Sequence, residues 1–116
     1  MHTMVGFIKK PESISTQDFR QWWLTKHVPH VLQIPGLRHY VVSPIDFSFY
    51  PETGDFTAPA PYDGVAILYF DDEKAIRDAF TTPSGVSDRE HFNKMGLVSV
   101  VVVGEAIVQR GAITQG

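Results

Sequence analysis

Apolar and polar positions alternate from Thr3 to Lys9, with Met4, Gly6 and Ile8 on one side and Val5 and Phe7 on the other. That period of two predicts a strand, and Pro11 ends it. Ser15 then stands in an N-cap position with Asp18 three residues later, so a helix is expected from about Thr16. Its apolar positions Phe19, Trp22, Trp23 and Val31 fit a helical period. Pro29 removes a backbone donor and disfavours the helical conformation at Val28. The helix should therefore kink there, or break with Pro29 opening a short second turn. Ile34-Pro35-Gly36 reads as a turn, and a second strand is expected over about Leu37 to Ile45.

The stretch DFSFYPETGDFTAPAPYDG, from Asp46, is too long for a simple hairpin loop. Loops of such length are functional covers or variable surface insertions. Gly64 to Phe70 (GVAILYF) predicts a third strand. Asp71 or Asp72 caps a helix running to about Phe80, with Ala75, Ile76, Ala79 and Phe80 as its buried stripe. A short helical turn is expected near Ser87 to Lys94, and LVSVVVVGEAIVQ reads as one long fourth strand.

The order β-α-β-β-α-β is that of a ferredoxin-like α+β fold, one antiparallel sheet with both helices on one face. VAILYF and VSVVVV are almost continuously apolar, whereas a sheet with one wet face should alternate. Two helices dry only one face. A second copy packed sheet on sheet in a two-fold homodimer would dry the other, and a large ligand cavity is the alternative.

The chain of 116 residues is expected to form a single domain over 1–116. A hydrophobic fraction of 43% beside 20% charged residues marks it as globular. A net charge of −3 and the lack of a Lys/Arg cluster give no reason to expect nucleic acid. Without cysteine there is no disulfide, thiolate catalysis or Cys-based metal site. No signal peptide is readable, and Gly96 to Gly104 is too short an apolar run to span a bilayer. The expectation is a cytoplasmic protein with no membrane partner.

Candidate chemistry concentrates in WWLTKHVPH, Trp22 to His30. On a helical wheel His27 lies about 80° round from Phe19 and one turn beyond Trp23, so it belongs to the apolar side. A histidine there needs a partner. Helix position alone leaves open a structural core histidine bonded to a backbone carbonyl and a functional one facing a pocket. His30 follows the proline, and its direction is open.

The run FRQWWLTKHVPHVLQIPGLRHYVV, an aromatic-rich helix ending in His, then Pro-Gly-Leu, then a Tyr opening a strand, resembles the EthD family of the dimeric α/β-barrel superfamily. YDGVAILYFDDEKAIRDAFTTPS and the later DREHF extend the similarity over nearly the whole chain. The resemblance implies the ferredoxin-like fold, a dimeric α/β barrel, and kinship with small cofactor-independent enzymes such as methylmuconolactone methylisomerase and aromatic polyketide cyclases. It implies polar pocket roles for His27 and Tyr40, an aromatic wall at Trp23, and an Asp-x-x-x-Phe element at Asp88 and Phe92. His30, His91 and the loop from Asp46 to Pro61 are less characteristic of the family.

An imidazole with an ordinary pKa of about 6.5 takes and returns a proton near neutrality. Tyr40 offers a hydroxyl to a developing enolate or carbonyl oxygen. Together they suit proton abstraction beside a carbonyl: isomerisation, cyclisation with dehydration, or decarboxylation. The expected function is a cofactor-independent lyase or isomerase for a small aromatic, lactone or polyketide-like substrate, with Asp88 as orienter or second polar group. Trp22, Trp23, Phe47, Phe49 and Phe92, with His91 beside them, are the candidates for packing such a hydrophobic ligand. A non-catalytic small-molecule binder and a cofactor-free or haem-dependent oxidative enzyme stand as alternatives. No cofactor and no metal are expected, although His27-x-x-His30 and Asp88-x-x-His91 have spacings that allow nitrogen and oxygen ligation.

Overall fold

The computed structural model describes residues 1–86, 97–108 and 110–111, the side chains of residues 57–58 and 97–98 excepted. The expected helix near Ser87 to Lys94 lies outside the described residues. The strands are β1 (His2–Ile8), β2 (His39–Pro44), β3 (Ser48–Tyr50), β4 (Asp55–Ala58), β5 (Gly64–Phe70) and β6 (Leu97–Val103). The helices are α1 (Thr16–Trp22), continued by a π-helical turn (Trp23–His27) into α2 (Val28–Val31), and α3 (Glu73–Ala79).

Four strands form one sheet in the order β2-β5-β1-β6, with the three neighbouring pairs antiparallel. This is the ferredoxin-like arrangement expected from the order of elements. β3 and β4 form a separate antiparallel ribbon within the long β2–β5 connection. The stretch read as a loop thus carries secondary structure of its own.

Residues opposite one another in neighbouring strands share a face. Tyr40, Leu68 and Met4 form one row, and Val42, Ala66 and Gly6 the next. Both rows face the helices. Leu68, Ala66 and Phe70 are buried there with Ile8, Phe19, Trp23, Val31, Ile34, Ile76 and Ala79. The opposite face carries the row Val41–Ile67–Val5–Val101, flanked by His39–Tyr69–Thr3–Val103. Along β5 the residues therefore alternate between buried and half-buried, although all but Gly64 and the Tyr69 hydroxyl are apolar. The uniform hydrophobicity reflects a second face that one chain leaves open.

Both helix starts are capped as the sequence predicts. The Ser15 hydroxyl accepts from Asp18 N at 3.1 Å, and the Asp72 carboxylate accepts from Ala75 N at 2.8 Å. α3 is only seven residues long, so its cap matters. Asp72→Ala is expected to cost about 1 kcal/mol, read as a lowered urea midpoint with an unchanged slope.

One strand is shorter than expected. β6 stops at Val103 instead of continuing through Gly104 to Gln109, and Ile107 and Val108 are 98% and 90% exposed. Its ladder partner explains the stop. Val103 pairs with Thr3, one residue from the start of β1 at His2, so β1 has almost no backbone left to offer.

Candidate functional site

The route of the helix across the sheet decides what its side chains meet. Asp63 N donates to Ile8 O and Lys10 N to the Asp63 carboxylate, both at 2.7 Å, which ties the chain entering the helix to the start of β5. At the other end Arg38 N donates to Tyr69 O at 2.8 Å, next to the end of β5. The Arg38 guanidinium grips Asp71 with two hydrogen bonds, at 2.8 and 3.1 Å. That hydrogen bond and charge hold the Asp71 carboxyl below the usual carboxylate range. The segment from Thr16 to Val31 must therefore run from the Gly64 end of β5 toward its Phe70 end.

Trp23 lies over the Gly64 end. A Cβ placed on Gly64 would fall 2.3 Å from the indole, so the ring rests against bare backbone. Only glycine gives that approach. Trp23 is 2% exposed, and its indole N–H has no hydrogen-bond partner among the described residues. Four residues on, His27 is wholly buried, the one buried polar or charged side chain among the described residues. One helical turn rises about 5.4 Å and two strand residues about 6.7 Å. His27 thus follows Trp23 along the helix in the direction of the Phe70 end of β5. Tyr40 is half-buried and packs against the same core from β2.

The helix reaches this placement by a change of pitch. Val28 N–H donates to Trp23 O, five residues back, where an α-helix would bond four back. Val28 stays helical and Pro29 sits in the first turn of α2, so the helix widens without the break expected at that proline. Its ring would clash with a carbonyl four residues earlier in a straight α-helix, and the wider turn relieves this.

Trp23 and His27 are thus buried on the helix side of this core, and Tyr40 packs against the same core from the sheet side. Phe47 and Phe49 are placed elsewhere, 56% and 48% exposed at the β3–β4 ribbon, where Phe49 stacks on Phe56 with centroids 4.3 Å apart. Asp88, His91 and Phe92 lie outside the described residues. Among the described residues no three potential ligands gather as a metal site would require, and no helix is long and apolar enough to cross a membrane.

Two features escape sequence reasoning. The Trp22 ring stacks on His27, with centroids 5.5 Å apart and planes 16° from parallel. Residues five apart are not neighbours on an α-helix, so only the π turn could have signalled this pair. The second is the dependence of Trp23 on Gly64, 41 positions later in the sequence.

No match was found among curated proteins by sequence. Among solved structures, an EthD family protein from Bacillus halodurans superposes with a TM-score of 0.77 at 23% identity, over 91% of this chain and 99% of that one. A hydroxynitrile lyase from Passiflora edulis gives 0.69 at 10% identity, over 94% and 96%. SnoaB, a cofactor-independent oxygenase from Streptomyces nogalater, gives 0.60 at 12% identity, over 98% and 97%. Two further proteins of this fold are described as dimeric. Enzymes thus exist among the structural neighbours, and identities this low establish the fold alone. The EthD domain family itself matches residues 11–95. That span holds the capped helix, the buried histidine, β2 and β5, and the chain belongs to the EthD family.

Proposed function

We propose that this chain is a cofactor-independent lyase or isomerase for a small aromatic, lactone or polyketide-like compound, working in the cytoplasm as a two-fold dimer packed sheet on sheet. One observation carries the reading: an imidazole is the single buried polar side chain of the described helix–sheet core, in a layer otherwise aliphatic and aromatic. Burial of a polar ring is costly, and a site for proton transfer accounts for keeping it.

His27 takes the proton beside a substrate carbonyl and returns it at the product carbon. Tyr40, from the adjoining strand, donates its hydroxyl to the oxygen on which charge develops. Trp23 forms an aromatic wall. Asp88, His91 and Phe92 complete the proposed site as orienting and ligand-packing groups. The dimer rests on the apolar outer row of the sheet, where Val41 and Val101 are 43% and 45% exposed in the single chain.

The test is proton–deuterium exchange in D2O, followed by NMR, over a panel of aromatic ketones and unsaturated lactones. The wild type is expected to exchange the proton beside the carbonyl of at least one compound. His27→Gln, folded by circular dichroism, should lose roughly 100-fold or more of that rate. Equal exchange by the variant overturns His27 as the base. Saturable binding without exchange in either protein makes the chain a binder instead.

A further inference from the structure

We infer that Trp22 is a positioning residue for His27, and that the π turn from Trp23 to His27 exists to stack the two rings. The inference rests on the reading of His27 as the proton-transfer group.

The argument begins with burial. Phe19, Trp23, His27 and Val31 follow one another at intervals of four, and they are 1%, 2%, 0% and 0% exposed. In an unbroken α-helix each such step rotates about 40° away from the last, so the fourth residue would lie about 120° round from the first. Such a helix buries a stripe, not a line that wanders that far. A turn closed five residues back advances each residue by less than the α-helical angle. Placed over Trp23–His27, it cancels part of the drift and brings His27 and Val31 back toward the line of Phe19. The same narrowing swings residues five apart toward each other. That pair is Trp22 and His27, and their rings are nearly parallel at 5.5 Å.

Local chemistry supports the wider turn. Thr25 Oγ1 donates to Gln21 O at 2.6 Å, a side-chain bond back onto the preceding turn of the kind that bends helices. Pro29 withdraws a donor on the far side. Single π turns of this sort are frequent at functional sites.

Trp22 differs from Trp23 in what lies around it. Trp23 is sealed in the core, whereas Trp22 is half-buried and borders an open groove with Asp18, Gln21, Thr25 and Lys26. Its indole therefore acts as a lid plate over the imidazole. It fixes the tilt of the ring toward the sheet and offers its electron-rich face when the ring takes a proton.

The test compares the wild type with Trp22→Phe, Trp22→Leu and His27→Gln. The last assigns the His27 signals among the five histidines. Ring-proton NMR of the wild type should show the His27 resonances displaced upfield by the indole. The displacement should shrink in Trp22→Phe and vanish in Trp22→Leu, with circular dichroism unchanged. Exchange turnover should fall roughly tenfold or more in Trp22→Leu, in kcat rather than KM, because a misplacement of about 1 Å at a reacting group costs on the order of 100-fold. Trp22→Phe should recover most of it. If Trp22→Leu leaves the imidazole signals and the rate as they were, the inference is wrong, even where His27→Gln abolishes turnover. If the signals move as expected but His27→Gln still turns over, the stacking stands and the catalytic reading falls.

Discussion

Gly64→Ala is expected to destabilise the protein by about 1–3 kcal/mol, and Gly64→Val by more. On backbone grounds the sign should be the reverse, since glycine inside a strand costs roughly 0.5–1 kcal/mol relative to alanine. The clash decides. The added methyl would fall 2.3 and 2.4 Å from two indole carbons of Trp23, and the Ser43 carbonyl is 3.4 Å away on another side. Trp23 has little room to retreat, being 2% exposed and packed with Phe19, whose ring centroid is 5.8 Å away. Urea unfolding measures the loss. Trp23→Phe removes the indole carbons that clash, so the double variant should be less destabilised than the sum of the two single changes. A Gly64→Ala protein as stable as the wild type would mean that the indole does not rest there.

Ile67→Asp is expected to yield a folded monomer. Ile67 sits in the middle of the outer row Val41–Ile67–Val5–Val101, on the face away from the helices. In the single chain it is only half-buried, so the carboxylate stays hydrated and the fold survives. In a two-fold interface built on this face, each change is made twice, and two unpaired carboxylates enter an apolar contact. Such juxtaposition costs several kcal/mol, and each 1.4 kcal/mol is tenfold in affinity. Dimerisation should weaken by roughly 100-fold or more on this basis. Sedimentation across a range of concentrations reads it directly. A wild type that sediments as a monomer, or an Ile67→Asp protein that remains a dimer, removes the sheet-on-sheet arrangement.

Much of the fold was legible because its signals are local. Ser15 and Asp72 announce helix starts through the bonds their side chains make three residues on, and both bonds are present. The alternation of β1 groups Gly6 with Ile8 on one face, and both are buried there. The uninterrupted apolar run of β5 pointed to a sheet with two greasy faces, and its outer side is indeed apolar and half open. The misses have a common cause: they depend on partners distant in the sequence. β6 looked longer than it is because hydrophobicity does not reveal where the adjoining strand begins. The ribbon at Ser48–Ala58 was hidden by a composition of prolines, glycines and aromatics that suits loops. The candidate site was legible to the extent that His27 was placed on the buried side of its helix. The wheel still assumed one pitch throughout, and a helix that changes pitch midway defeats any fixed angle. The stack of Trp22 on His27 lay beyond reach for that reason.

The β3–β4 ribbon hangs from the sheet by its two ends, where Ile45 N donates to Asp63 O at 3.0 Å, and its strands pair chiefly with each other. Its Phe49 and Phe56 stack on each other across the ribbon. Evolution is therefore free to lengthen, trim or repaint this appendage without re-solving the packing beneath it. Kindred proteins can differ in this accessory while the fold that carries it stays untouched.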